Sequence, residues 1–127
     1  MSHPVALIPT GPDAVATMTA SGYVTAESLR EGDPAERDTI HLSSSDQKFT
    51  VGSWCAEPYA EFIDSYPGDE YTRVLTGSLT LTGDDGVAHT FGPGDSFTLA
   101  KGWRGEYRVT DFLVKQFAIY LPGGAEQ

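Results

Sequence analysis

The segment Leu113-Val114-Lys115-Gln116-Phe117-Ala118-Ile119 reads as a β-strand, and its alternate members Leu113, Phe117 and Ile119 are plainly core residues. Lys115 shares their face. Burying a lone ammonium is costly, so a lysine at that position requires an anionic partner. Glu70 is the natural one if both side chains point inward. A carboxylate and an ammonium in an aromatic-lined cavity can move a proton or orient a substrate. The same pair can also serve as a structural ion pair, or the lysine can snorkel outward.

Other reactive groups are sparse. Cys55 is the single cysteine, so no intrachain disulfide and no cysteine-based zinc site can form. It has no basic neighbour in sequence to activate its thiol. His3, His41 and His89 have no shared spacing that would place them on one metal ion. There is no phosphate-cradling glycine loop, no Gly-x-Ser-x-Gly elbow and no His-Glu-x-x-His pair. The formal charge is −10, with 18 acidic residues against eight Lys and Arg. Such a surface repels phosphate backbones and anionic lipid, which argues against nucleic-acid or membrane partners; its simplest role is solubility. The N-terminal stretch lacks a basic region followed by a continuous apolar run, so a cytoplasmic location is expected.

The elements that must position Lys115 and Glu70 are short and β-like. Residues 39–127 alternate such runs with turn signals, namely 39–42, 48–55, 60–66, 70–76, 78–82, 87–91, 96–99, 105–110 and 113–121. Ser44-Ser45-Asp46, Pro67-Gly68-Asp69, Gly83-Asp84-Asp85-Gly86 and Gly92-Pro93-Gly94-Asp95 separate them, and Asp85-Gly86 is the strongest hairpin signal. Such a series predicts an all-β sandwich or barrel. Residues 1–38 differ: scattered Pro and Gly, then a polar run from Glu31 to Asp38, read as an arm that wraps the barrel or a partner, with a loose extreme N-terminus. A weak helix is expected over Ala26–Arg30, capped by Thr25.

Two stretches carry a resemblance. One runs from Glu70 through Arg73 to Gly77 and on through Leu79 and Leu81; the other is Phe91-Gly-Pro-Gly-Asp-Ser-Phe-Thr-Leu-Ala-Lys-Gly102. They resemble the first and second motifs of the cupins. The similarity extends to Gly52-Ser53-Trp54 ahead of the first motif, to Phe62 and Tyr66 before Glu70, and to Lys115-Gln116-Phe117 in the last strand. In that detail the chain resembles the small cupin domains of ureidoglycine aminohydrolase and of an ethanolamine-utilisation protein. The fold implied is a double-stranded antiparallel β-helix, a jelly-roll cupin barrel, with an N-terminal arm (1–38) on one barrel domain (39–127).

The resemblance also says what is missing. Metal-binding cupins carry two histidines and a glutamate in the first motif and a third histidine in the second. Here Asp64 and Tyr66 stand at the first two positions, Gly105 at the last, and only Glu70 remains. No metal or other cofactor is expected; the weak alternative is a divalent cation on Asp64, Tyr66 and Glu70.

From that alignment Asp64, Tyr66, Glu70 and Thr72 should face the cavity, with Val74 following at period two. The candidate catalytic residues are Glu70 as acid or base, Tyr66 as hydrogen-bond donor and Lys115 as charge stabiliser. Candidate substrate contacts are Asp64, Phe62, Thr72, Trp103 and Tyr107, with Trp103 in a rim loop. Packing is an equal role for Tyr66 and the stronger one for Tyr107, a dimer contact explains Trp103 equally well, and Trp54 reads as core. Arg73, out of phase with Glu70, reads as outward-facing.

The function expected is binding of a small polar molecule, with metal-independent or weakly metal-dependent isomerase, hydrolase or lyase chemistry. The alternatives are a non-catalytic sensor or accessory module and a purely structural dimer with a filled barrel. The resemblance implies homodimerisation, and strands apolar on both faces need a cover for the second face.

Overall fold

The computed structural model describes residues 4–124, so His3 and the extreme N-terminus lie outside the described residues. Among those described, nine strands and one 3₁₀ turn form the molecule: the turn Pro12–Val15, then β1 (Thr19–Ala20), β2 (Leu29–Gly32), β3 (Arg37–Ser43), β4 (Phe49–Ala56), β5 (Tyr59–Ile63), β6 (Asp69–Gly83), β7 (Ala88–Phe91), β8 (Ser96–Leu99) and β9 (Gly105–Tyr120). All pairings are antiparallel. No helix of the described residues is long and apolar enough to cross a membrane.

Two long, bent strands organise the barrel. β6 and β9 pair along their whole length, from Asp69 opposite Tyr120 to Gly83 opposite Gly105. The second half of β9 continues into β4, β3 and β1, and the first half of β6 is flanked by β8. The first half of β9 continues into β5 and β2, and the second half of β6 is flanked by β7. Two sheets thus share β6 and β9 and fold face to face, the architecture expected of a jelly roll.

The bend falls where the β6–β9 register shifts, between Val74 and Leu79. Gly77 sits there at φ +84, and a Cβ on it would strike the carbonyl of Phe112, so only glycine lets the two bent backbones nest. The sequence reads Gly77 as a break between two strands; it is a bend inside one. Residues 105–110 and 113–121 are likewise one strand rather than two.

The core lies between the sheets. Val74, Leu79 and Leu81 of β6, Tyr107, Val109, Leu113, Phe117 and Ile119 of β9, and Trp54, Ala56, Tyr59 and Leu99 form one buried cluster. A second, smaller cluster lies outside the barrel wall, where Ala14 and Met18 of the arm cover Cys55 and Val114.

The arm is more structured than its composition suggests. β1 extends one sheet beside β3 and β2 extends the other beside β5. The helix expected over Ala26–Arg30 is a single turn instead. Thr25 Oγ1 does accept the Ser28 N–H at 3.1 Å, as an N-cap would, but Leu29 then enters β2, where pairing with β5 supplies hydrogen bonds that a helix would forgo.

Candidate functional site

The alternation of β6 and β9 turns Glu70, Thr72 and Lys115 into the barrel, where all three are buried. Lys115 Nζ donates to Glu70 Oε2 at 3.1 Å and to the phenol oxygen of Tyr107 at 3.1 Å. Thr72 Oγ1 donates to the same Glu70 Oε2 at 2.6 Å, and the Tyr66 hydroxyl donates to Oε1 at 2.9 Å. Three donors thus fix the carboxylate, with Oε1 carrying the single bond from Tyr66. The Tyr107 oxygen accepts from Lys115, while its own O–H finds no acceptor among the described residues.

The rest of the ammonium is wrapped in aromatic rings. Trp54, Tyr107 and Phe117 present ring centroids 5.1, 5.5 and 5.6 Å from Nζ. Burial works against the charge on Lys115, but the Glu70 carboxylate beside it, followed by the Tyr107 and Tyr66 oxygens, holds its pKa well above the usual lysine value. Burial, joined by the charge of Glu70, pushes the phenols of Tyr66 and Tyr107 up; Lys115 opposes the shift in both. At neutral pH Lys115 therefore keeps its charge and both phenols keep their protons.

A second carboxylate faces the same interior, and sequence reasoning missed it. Glu61 on β5 is buried, accepting from the Tyr59 hydroxyl at 2.6 Å and from Ser28 Oγ at 3.2 Å. No cation bonds to it among the described residues. Burial pushes its carboxyl above the ordinary 4.5, against the pull of its two hydroxyl donors. Tyr59 lies 6.4 Å, centroid to centroid, from Tyr107, which connects this carboxylate to the Lys115 cluster. Glu36 was also missed: it accepts from Trp54 Nε1 at 3.0 Å, Ser21 Oγ at 2.8 Å and the backbone N–H groups of Tyr23 and Val24 at 3.1 and 2.7 Å, tying the arm to the aromatic wall of the site.

The structure brings together Glu70, Tyr66, Lys115, Thr72 and Tyr107. Asp64 and Phe62, both candidate substrate contacts, do not join them, and for Asp64 this corrects the expected inward orientation. Asp64 has a side chain 84% exposed and pairs with Arg104 at 2.7 Å. Phe62 lies under the guanidinium groups of Arg104 and Arg30, at 4.8 and 5.9 Å. Trp103 packs edge-on against Tyr66 at 6.5 Å, and the backbones of the two loops exchange hydrogen bonds there. Arg73 is exposed and Trp54 is core. His41 bonds Ser53 at 2.8 Å, and His89 stacks on Phe91, so the described histidines stand apart from Glu70.

The donor set does not suit a metal ion. Among the described residues no group of three His, Cys, Asp or Glu side chains is placed to hold one. Glu70 already faces an ammonium at 3.1 Å, and the Asp64–Tyr66–Glu70 set considered from sequence is not assembled, because Asp64 is outside. Gly105, at the position of the third cupin histidine, leaves no space for a side chain: a Cβ would meet the Thr82 carbonyl and the Trp103 ring.

Among the described residues, two surface concavities stand out. One, about 480 Å³, is lined by Leu81, Leu99, His89, Phe91, Phe97 and Trp103 with the turn around Asp84, and its Trp103 wall backs onto Tyr66. The other, about 590 Å³, lies within the arm between Ala20 and Arg37. Neither is lined by Glu70 or Lys115.

Known proteins place this architecture. A DUF861-family protein of unknown function from Pseudomonas syringae pv. tomato superposes with a TM-score of 0.77 at 20% identity, covering 83% of this chain and 45% of that one. The chain therefore spans less than half the length of that relative. A putative ethanolamine utilization protein Q from Salmonella typhimurium superposes at 0.59 with 17% identity, covering 68% of this chain and 69% of its own. The cupin domain of an XRE-family transcriptional regulator from Enterobacter cloacae superposes at 0.56 with 18% identity, covering 68% and 97%. At these identities the likeness is one of fold. No curated protein matches the sequence. The model of the EutQ-like cupin domain matches residues 43–117, more than half of the chain and including Trp54, Tyr66, Glu70 and Lys115, so this chain belongs to the EutQ-like cupin domain family.

Proposed function

We propose that this chain binds a small polar molecule in its cupin barrel and handles a proton there without a metal. The carrying observation is the buried Glu70–Lys115 pair held by Tyr66, Thr72 and Tyr107. A barrel needing only stability does better with apolar residues at such positions, since a buried ion pair seldom repays its desolvation. In this reading Glu70 Oε1 exchanges the proton, Tyr66 and the unused Tyr107 hydroxyl donate hydrogen bonds, and Lys115 stabilises developing negative charge. Isomerase, hydrolase and lyase chemistry all fit that set. The likeness to an ethanolamine utilization protein supports nitrogen-containing metabolites as the first class to test.

The second reading is a sensor domain without turnover, favoured by the likeness to the cupin domain of a transcriptional regulator. Titration of small amides, ureides and amino alcohols into ¹⁵N-labelled protein, alongside Glu70→Gln and Tyr107→Phe, tests both. Binding lost in the variants together with turnover by the parent supports the enzyme, and binding without turnover supports the sensor. Ligands bound equally by parent and variants overturn both roles for the network.

A second copy of the chain is the partner we infer. Leu42, Phe49, Tyr71 and Tyr120 are exposed on the sheet face whose other end the arm covers through Ala14 and Met18. Val5 and Leu7, just upstream of that cover, are 91% and 90% exposed. An apolar face continuous with an apolar tail suits a two-fold pairing in which each tail crosses to the other copy.

A further inference from the structure

The edge strands on the β6 side of the two sheets, β7 and β8, are joined by aromatic side chains instead of backbone pairing. Phe91 of β7 and Phe97 of β8 stack at 4.4 Å with planes 24° apart, and His89 continues the stack on Phe91 at 6.4 Å and 21°. Both phenylalanines pack on the main core, while His89 is exposed. These three rings, with Trp103, Leu81 and Leu99, line the concavity of about 480 Å³, a volume in the range of small-molecule sites.

Charge at the rim is unbalanced. Four lining residues other than the backbone carry or can carry charge: Asp84, Asp85, His89 and Arg104. The Arg104 guanidinium is committed to Asp64 at 2.7 Å on the outer surface. Asp84 and Asp85 belong to the β6–β7 turn, held in place because the Asp84 N–H bonds the Arg104 carbonyl at 3.1 Å. Asp85 Oδ1 accepts only the Val87 N–H among the described residues, and the Asp84 carboxylate accepts none. The uncommitted charge lining the same concavity as the rings is negative, on a chain of net charge −10.

We propose that this concavity is a binding site for a planar, cationic small molecule, such as an aromatic amine or a protonated nitrogen heterocycle, whose ring extends the His89–Phe91–Phe97 stack while its charge meets Asp84 and Asp85. The inference rests on the chain being a small-molecule binder but not on any role for Glu70. Flat rings gain from stacking on flat rings, and a cation gains further from the faces of Trp103 and the phenylalanines.

The test uses three probes on the ¹⁵N-labelled full chain: benzamidine, planar and cationic; benzoate, planar and anionic; cyclohexylamine, cationic but not planar. Benzamidine is expected to shift the Trp103 indole N–H and the amides of His89 and Phe97 saturably, about ten-fold more tightly than benzoate. Asp84→Asn, an exposed change that leaves the fold alone, is expected to weaken benzamidine about three-fold. Phe97→Ala, checked for folding by its spectrum, should abolish the site. Glu70→Gln should leave benzamidine binding unchanged. Benzoate or cyclohexylamine binding as well as benzamidine overturns the proposal, as do shifts confined to Ala20–Arg37 or no saturable shift at all. Loss of benzamidine binding in folded Glu70→Gln would move the ligand into the barrel, overturning this site while supporting the proton-handling network.

Discussion

Lys115 stands opposite Val74 in the β6–β9 register, yet its ammonium reaches Glu70, four residues nearer the start of β6. The side chain therefore runs along the inside of the sheet, beneath Trp54 and Phe117, instead of crossing to its neighbour. A lysine that merely filled space would not need to travel that far.

Breaking this pair should expose its coupling. Lys115→Met or Glu70→Leu alone leaves a buried charge without its partner and is expected to cost about 3–5 kcal/mol in urea unfolding at neutral pH. The double variant should lose much less than the sum of the two. Single variants within about 0.5 kcal/mol of the parent would show that the two charges are not coupled.

Glu61 gives the protein a pH dependence of definite sign. Burial raises its folded carboxyl above the ordinary 4.5, against hydrogen bonds from Tyr59 and Ser28 and with Glu36 adding to the rise. The folded state thus holds this proton more tightly than the unfolded chain. Its stabilising contribution is complete below about pH 4.5 and is lost as the pH climbs through the raised value. Glu61→Gln, which keeps the protonated shape, should therefore gain on the parent from about pH 4.5 upward and then level off. Denaturant melts at a series of pH values check this; a constant difference would place Glu61 in an ordinary carboxylate environment.

The arm should come loose at Glu36. Glu36→Ala strands the Trp54 indole N–H and the amides of Tyr23 and Val24, at a cost of about 1–3 kcal/mol for each donor that water cannot reach. Amide exchange at Tyr23 and Val24 should accelerate while the β6–β9 ladder stays protected. Uniform acceleration across the barrel would mean that the arm and barrel open together.

Pairing of two copies is checked by mass. Light scattering at micromolar concentration should give the mass of a dimer for the parent and of a monomer for Leu42→Glu combined with Tyr71→Glu, both exposed positions. A monomeric parent would leave that face without the assigned partner.

The sequence foretold the strands because turn residues and alternation are local signals, while the cupin frame came from the resemblance carried by Glu70–Gly77 and Phe91–Gly102. It also marked Lys115, since a cation on an apolar face is conspicuous in one dimension. Asp64 was misplaced for a specific reason: its phase was counted back from Glu70 through Tyr66. β5 ends at Ile63, and Tyr66 reaches Glu70 from a loop, so alternation does not carry across the gap. Counting from Tyr59 instead puts Glu61 and Ile63 inside. Glu36 was invisible because it sits in a polar run that reads as solvated; only the pairing of β3 with β4, which sets it beside Trp54, buries it. Gly77 marks a change of direction in sequence, but whether a glycine ends a strand or bends it depends on the Phe112 backbone packed against it.

β9 is the common neighbour of β4, β5 and β6. β3 and β4, β2 and β5, and β6 with β7 and β8 each pair without it, but among the described residues only β9 joins these ladders. It is therefore the keystone of the barrel: breaking it divides the molecule into ladders, where breaking an edge strand only trims one.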